Sequence, residues 1–336
     1  SITCYREVEL MLLPVITRKS PAYGNQGDYF IYLGLKYFLV KLGYEPYLLD
    51  KFNLQDIRDH QELIKEAGKC LLAGMPQFNN YDDWIFPYDK DLYDLFVQQH
   101  IPLYSLAGGS GVSNPDTTIE EYVSNCLNSR KTNEVIAYRQ RCTRWLSVRD
   151  HYSERLLSAF GSTTQVLPCT GFWASQGPNN HLHNIICTPN MDMLPLFHKG
   201  LDVHAYALRL ISELRKKYPD YLVVAHSERD FRFFSLTGSV YFSNDPAVLQ
   251  SLYQHANKVI SARVHCSLPC AGNGANVLHL GHDIRSDAVE LCQIPVLDFY
   301  TSDIIDHILA AEFSVLDDEW KANQEDKYLE LLRSIR

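Results

Sequence analysis

The residues with the clearest capacity for chemistry are Arg263 and His265, in the stretch ISARVHCSLPCAGNGANVLHLG (260–281). The stretch predicts a short apolar strand that ends in these two residues, followed by a run of small residues. Side chains two apart on a strand point to the same face, so we expect both to project into one cleft. A fixed positive charge beside a titratable imidazole suits a site that holds an anion and moves a proton. The alternative is structural, with Arg263 holding a buried carboxylate and His265 capping the next helix.

Two further candidates stand at the ends of predicted strands. Arg149, in SVRD (147–150), precedes a helix, where a guanidinium can clamp a carboxylate or phosphate with two hydrogen bonds. An ion pair with Asp150 is the alternative. His226, in VVAHSERD (223–230), stands at a strand tip, where an isolated histidine is more often an ordinary loop residue. Ligands bind at the carboxyl ends of strands in open α/β sheets, so both are candidate substrate contacts.

Two glycine clusters follow predicted strands. PAYGNQGDYF (21–30) places Gly24 between a strand and a helix that Asp28 can cap. The backbone N–H groups of such a turn favour anions or hydroxyl-rich ligands, although the spacing fits neither a dinucleotide fingerprint nor a P-loop. LAGGSGV (106–112) places Gly109 at a strand's carboxyl end. A simple turn is the alternative at each place.

One pattern raises the question of a metal. Cys266, Cys270, His279 and His282 form C-x3-C-x8-H-x2-H. Both the central spacing and the histidine spacing are shorter than in zinc fingers. Buried thiols at a strand–helix junction explain the cysteines better, and we predict no metal site.

Four of these places together resemble the motifs of polysaccharide pyruvyl transferases. The similar elements are a Gly-Asn-x-Gly-Asp turn that includes Asn25, a Val-Arg-Asp strand end, a His-Ser tip, and Ser-Ala-Arg-x-His. Their order and spacing are similar over nearly the whole chain, and the Arg-x-His element is the most specific. The chain departs from the family where Cys169 and Thr170 replace a common Asp-Pro, and where Arg285 stands in place of a common lysine.

The resemblance implies a GT-B architecture and transfer of the enolpyruvyl unit of phosphoenolpyruvate to a sugar, usually as a cyclic ketal. It also implies that Arg149, Arg263 and Arg285 hold the donor, and that His265 protonates its methylene carbon. No cofactor is expected. The alternatives are a GT-B glycosyltransferase that uses a nucleotide sugar, since one fold serves many functions, and a non-catalytic glycan-binding member of the family.

The elements that position these residues alternate between strand and helix. This alternation predicts an α/β protein with doubly wound parallel sheets. A polar break, SQGPNNHLH (175–183), divides the pattern into two similar halves. We therefore expect an acceptor-side domain over 1–175, a donor-side domain over 183–315 with the ligand cleft between them, and a helix over 316–336 that packs back onto the body.

The bulk composition agrees with two globular domains. The chain has 336 residues, 46% of them hydrophobic, and a formal net charge of −9. This charge argues against a uniformly basic nucleic-acid surface, so positive charge for an anionic substrate must be local. No transmembrane segment or cleavable signal pattern is visible. Nine scattered cysteines are typical of free thiols in a reducing compartment, and we expect a cytoplasmic protein.

Overall fold

The structure is a computed structural model that describes residues 11–17, 26–78, 86–194 and 202–335, apart from the side chains of 86–89. Strands and helices alternate through both halves of the chain. The elements of the first half are β1 (Met11–Thr17), α1 (Gly27–Lys41), β2 (Tyr44–Asp50), α2 (Leu54–Asp59), α3 (Gln61–Ala67), β3 (Cys70–Ala73), β4 (Pro76–Phe78), α4 (Phe86–Gln98), β5 (Leu103–Leu106), β6 (Gly109–Ser110), α5 (Ile119–Asn128), α6 (Arg130–Cys142), β7 (Thr143–Trp145), β8 (Ser147–Val148), α7 (His151–Ala159) and β9 (Gln165–Val166).

A 3₁₀ segment, Thr170–Trp173, links the first half to the second. The elements of the second half are β10 (His183–Cys187), α8 (Val203–Lys217), β11 (Leu222–Val224), α9 (Glu228–Phe234), α10 (Pro246–Gln254), β12 (Ala256–Ser261), α11 (Val264–Gly272), β13 (Asn276–Gly281), α12 (Asp287–Glu290), β14 (Val296–Asp298), α13 (Ile304–Ala310) and α14 (Asp318–Arg333).

Two five-stranded sheets form the centre of the molecule. Their strand orders are β2-β1-β3-β5-β7 and β11-β10-β12-β13-β14, and every pairing in them is parallel. Parallel neighbours need crossover connections, which the intervening helices supply. The strand order reverses between β1 and β3 in one sheet and between β10 and β12 in the other, and such switch points are where α/β sheets bind ligands.

The predicted α/β class with two doubly wound parallel sheets is therefore confirmed. Each sheet takes its strands from one half of the chain. The domain limits at 175, 183 and 315 remain predictions.

The two halves share one hydrophobic core. It combines buried residues of both sheets with α1, α11 and α14. In it the ring of Phe38 on α1 stacks on Tyr328 of α14, with centroids 4.8 Å apart, and meets Trp173 edge-on at 5.0 Å. The Tyr328 hydroxyl donates a hydrogen bond of 2.6 Å to the Pro168 carbonyl. The last helix thus packs on the first helix and on the connecting segment.

The structure corrects the expected strand around the arginine and histidine. β12 ends at Ser261, and Arg263 is the N-cap residue of α11 rather than a strand residue. The cause is local, because the Ser261 hydroxyl accepts a hydrogen bond of 3.0 Å from the Arg263 N–H and turns the chain. His265 lies in the first turn of α11 with φ −87° and ψ 21°. Same-face projection from a strand is therefore the wrong reason for their proximity.

Two other local expectations are also wrong. α1 begins at Gly27 and its N-cap residue is Gln26, so Asp28 lies inside the first turn and does not cap the helix. The segment GSVYFS (238–243), for which the alternation of strand and helix predicts a strand, reduces to one bridge between Tyr241 and Val224. There Arg215 donates a hydrogen bond to the Ser239 carbonyl, a group that a longer ladder would need.

Candidate active site

A cavity between the two halves is bordered by residues that follow strands of both sheets. Six of the residues predicted from the sequence line it: Asp28, Arg149, His226, Arg263, His265 and Arg285. The first half contributes residues after β2 and β3 of its five-stranded sheet and after β8, which pairs with β9 in a separate two-stranded sheet, and the second half contributes those after β10 to β13. The cavity thus lies where the topology of both sheets places a ligand site.

The centre of the site is a contact across the two halves. Arg149 Nη1 lies 3.4 Å from His265 Nε2. Cys169 lies beside both, with its sulfur 3.6 Å from Arg149 Nη1 and 3.7 Å from His265 Nε2. The His265 ring thus reaches across to the first half, and the N-terminus of α11 has no side-chain cap. The helix-capping alternative for His265 is not what the structure contains.

Arg149 is placed by the backbone around it. Its N–H donates 3.0 Å to the Gly108 carbonyl, and it is 2% exposed. Gly109 lies behind it, and a side-chain carbon there would come within 2.3 Å of Arg149 Nε. Gly109 therefore makes room for the arginine and does not itself line the cavity.

Among the residues that the structure describes, no carboxylate lies within ion-pair distance of Arg149. Its neighbour Asp150 instead caps α7, accepting 2.7 Å from the Ser153 N–H, and also accepts 2.8 Å from the Ser110 N–H. The ion pair between Arg149 and Asp150 is therefore absent. Arg149 therefore supplies a positive charge that a bound anion can neutralise.

Arg263 is engaged differently. Its guanidinium forms an ion pair with Asp230, which is fully buried, and its Nε donates 3.3 Å to the Thr188 carbonyl. Asp230 also accepts 3.1 Å from the Met191 N–H. The alternative in which Arg263 holds a buried carboxylate is thus realised, even though Arg263 also lines the cavity.

Arg285 is likewise paired. Its Nε lies 2.9 Å from Asp283 Oδ1 and its Nη2 lies 2.5 Å from Oδ2. This two-point contact holds the pKa of the Asp283 carboxyl well below its usual range despite burial. Asp283 and Arg285 together carry no net charge, so Arg149 is the arginine best placed to attract an anion.

The protonation of His265 is set by its surroundings. Burial, then the positive charges of Arg149 and Arg285, lower the pKa of His265 well below its usual value. The ring is therefore neutral in the unliganded protein at neutral pH. Anions bound between it and the arginines would reverse this effect.

His226 lies against the core side of the cavity. It is 1% exposed, hydrogen-bonds through Nε2 to the Tyr253 hydroxyl and stacks on Phe30 with centroids 6.3 Å apart. Ligand atoms of Cys187, His226 and Cys266 lie within 4.8 Å of one another. This group differs from the spacing pattern in the sequence, and burial raises the pKa of both thiols well above the usual value, which disfavours thiolates.

The remaining predicted residues belong to the glycine turn before α1. Asp28 lines the cavity and is 8% exposed. Gly24 and Asn25 lie outside the described residues. Their predicted role in substrate binding remains a prediction.

Sequence reasoning missed several polar residues of the cavity. Lys51 follows β2 directly and is 7% exposed, so the rule that ligands meet strand ends would have found it. Asn190 lies in the loop after β10, which ends at Cys187, and also lines the cavity. His279, His282 and Asp283 at the end of β13 were considered only as part of a metal pattern or not at all.

Solved structures of other proteins establish the type of fold. A UDP-GlcNAc 2-epimerase of Methanocaldococcus jannaschii, in complex with UDP-GlcNAc and UDP, superimposes with a TM-score of 0.53 at 8% identity, covering 96% of this chain and 100% of that one. A putative UDP-N-acetylglucosamine 2-epimerase of Listeria monocytogenes gives 0.51 at 11% identity, covering 96% and 91%. At such identities the likeness concerns the fold alone, which is of the GT-B type, as the resemblance implied.

The family follows from the sequence. The family model described as polysaccharide pyruvyl transferase matches residues 25–284, well over half of the chain. The chain therefore belongs to the polysaccharide pyruvyl transferase family, and it is a transferase by family. A comparison with curated protein sequences finds no significant match. Within the described residues, no helix is both long and apolar enough to cross a membrane.

Proposed function

We propose that this protein transfers the enolpyruvyl unit of phosphoenolpyruvate to two hydroxyls of a glycan sugar and so forms a pyruvate ketal. The observation that carries the proposal is the contact of 3.4 Å between Arg149 Nη1 and His265 Nε2 in the cavity between the halves. It joins a fixed cation to a titratable ring at the point where both sheets present their strand ends. Membership of the family supports glycan pyruvylation in general.

The proposed reaction balances without a redox partner. His265, once protonated, delivers its proton to the methylene carbon of phosphoenolpyruvate, and the adjacent carbon becomes oxocarbenium-like. One sugar hydroxyl oxygen bonds to that carbon. The second bonds as the carbon–oxygen bond to phosphate breaks. One hydroxyl proton replaces the proton that His265 gave, and the other leaves with phosphate.

Arg149 has two tasks in this scheme. It binds the anionic donor, and by giving up its unbalanced charge to the donor it allows the pKa of His265 to rise. The ring is then protonated when phosphoenolpyruvate is present and neutral when it is absent. Titration calorimetry in buffers of different ionisation enthalpy should therefore detect proton uptake on donor binding near neutral pH, in an amount that the His265→Gln variant lacks.

The first test replaces Arg149. Loss of a charge-assisted contact costs about 1.5–3 kcal/mol, so Arg149→Met should weaken phosphoenolpyruvate binding by about ten- to a hundredfold. Arg263 and Arg285 serve this test poorly, because removing either would strand a buried carboxylate. Arg144 is the matched control, since it lies on the neighbouring β7, is exposed and contacts Tyr104 at 3.2 Å. Arg144→Met should bind the donor like the parent.

The second test separates chemistry from folding. His265→Gln should keep most donor affinity and lose about 10²–10⁴-fold in single-turnover rate, while the exposed His307, replaced in the same way, should leave the rate unchanged. A folded His265→Gln protein with the parental rate would reject His265 as the acid. A parent that binds a nucleotide sugar but not phosphoenolpyruvate would overturn the proposal in favour of a glycosyltransferase.

A further inference from the structure

A buried histidine in the cavity has no hydrogen-bond partner within the described part of the chain. His282, directly after β13, is 5% exposed, and neither of its ring nitrogens has a partner among the residues that the structure describes. Its Nε2 lies 3.4 Å from Asp283 Oδ2 without hydrogen-bond geometry, and the nearby Leu280 carbonyl does not complete one either. Buried polar groups are normally satisfied, and one left without a partner calls for an explanation. His282 also lines the cavity, so a ligand that reaches the ring there can complete its hydrogen bonds.

We infer that His282 binds a hydroxyl of the acceptor sugar. A neutral imidazole offers one donor and one acceptor, and a hydroxyl both donates and accepts, so either ring nitrogen can serve it. The inference rests on the proposed function, because it assigns the second substrate to the other side of the same cavity.

The charges around His282 favour a hydroxyl over an anion. The carboxylate of Asp283 lies 3.4 Å from the ring, and because it pairs with Arg285 the two leave no net positive charge here to attract a phosphate or carboxylate of the donor. Arg285, the cation beside it, is already held by two contacts with Asp283. Burial, with Arg285 and Arg263 nearby, lowers the pKa of His282 to about 4, so the ring is neutral at neutral pH. The donor's anions have their partner in Arg149, on the half of the chain that was expected to be the acceptor side, so the inference exchanges the two expected sides.

The test compares two variants in donor and acceptor binding. His282→Leu removes both hydrogen-bonding groups, and His282→Asn keeps one donor and one acceptor in a side chain of polar character. With methyl glycosides of glucose, galactose, mannose and their N-acetylamino forms as acceptors, His282→Leu should raise the acceptor KM about tenfold or more. The affinity of His282→Leu for phosphoenolpyruvate should stay within about twofold of that of the parent. In His282→Asn, most of the increase in acceptor KM should be absent.

Deoxy sugars identify the contact directly. For the best acceptor, one monodeoxy analogue should raise the KM of the parent protein as much as His282→Leu raises the KM for the intact sugar. When the variant is tested with that analogue, the two losses should not add. Additive losses for every analogue would overturn the inference, and so would weakened phosphoenolpyruvate binding with an unchanged acceptor KM. If the parent transfers nothing from phosphoenolpyruvate, the proposed function fails first. Calorimetric binding of the same glycosides to parent and His282→Leu then decides the role of His282, because equal affinities, or no binding by the parent, would reject it.

Discussion

Cys169 is one of the two positions at which this chain differs from the Asp-Pro of the motif that it resembles. A common family aspartate is replaced by a thiol that contacts both Arg149 and His265, at 3.6 and 3.7 Å. A carboxylate there would neutralise Arg149 and favour the protonated imidazole. Under the proposed function, both effects are left to the bound donor in this chain.

Restoring the carboxylate should therefore change the free protein. Cys169→Asp should raise the pKa of His265, reduce proton uptake on donor binding, and weaken phosphoenolpyruvate affinity by roughly tenfold through loss of the unbalanced charge on Arg149. NMR titration of the histidine ring and calorimetry measure these effects. Cys169→Asn, equal in size but uncharged, is the control and should retain proton uptake. An unchanged His265 pKa in the aspartate variant would show that Cys169 does not set the charge at this site.

At the residue scale, the sequence predicts which residues line the cavity better than it predicts their partners. Six predicted residues were found at the cavity because strand ends in α/β sheets converge there, which is a rule of topology. The sequence does not predict that Arg263 pairs with Asp230, or that Arg285 pairs with Asp283. Nothing in the spacing of single residues tells which carboxylate a buried arginine will meet.

At the scale of elements, two helices and one connecting segment determine how the halves meet. Gly34 of α1 and Gly272 of α11 approach opposite parts of the Thr170–Trp173 segment, where added side-chain carbons would lie 1.6 and 1.7 Å from carbonyl oxygens. The Thr170 hydroxyl donates 2.9 Å to the Ile31 carbonyl, an interaction that the family's common proline could not make. The segment that carries Cys169 is thus fixed from both sides.

Gly34→Ala should destabilise the protein in spite of helix propensity. Alanine is favoured over glycine by about 1 kcal/mol in an open helix, but here the backbone of one element must move. We expect a loss of about 1–3 kcal/mol or more in unfolding free energy, together with weaker donor binding because Cys169 moves with the segment. Urea unfolding measures the first effect and calorimetry the second. Lys36→Ala, exposed on the same helix, is the control, and a stabilised Gly34→Ala protein would disprove the close contact.

The order of elements was predictable, but their ends were not. The alternation of strand segments with helical segments predicted both sheets, because the strands of a buried parallel sheet are apolar along their whole length and so are easy to recognise. The end of β12 depended on a single hydrogen bond from the Arg263 N–H to the Ser261 hydroxyl, and the missing strand over 238–243 on the side chain of Arg215. The first of these contacts is local but depends on a side-chain hydroxyl, which a pattern of apolar residues does not record, and the second joins residues 24 apart in the chain.

At the scale of the whole molecule, the cavity affects the stability of both halves. The hydrophobic core runs through both sheets and α14, so we expect the halves to unfold together. The cavity holds buried histidines that the folded protein keeps neutral. Burial is the main cause, lowering the pKa of His279 to about 3 and that of His282 to about 4 from an ordinary 6.5.

These depressed values predict loss of stability in acid. Below pH 6.5 the unfolded chain binds protons at these residues and the folded chain does not, so stability falls as the pH drops from 6.5 toward the folded values. For His282, which Arg285, Arg263, His279 and Asp283 surround, the loss between pH 7 and pH 5 is about 2 kcal/mol. His282→Asn cannot titrate, so its unfolding free energy, measured in urea, should fall between the two pH values by about 2 kcal/mol less than that of the parent. The unfolding free energy of the control His307→Gln should fall as much as that of the parent. A His282→Asn protein with the parent's full acid sensitivity would mean that the ring is charged, or solvated, in the folded state.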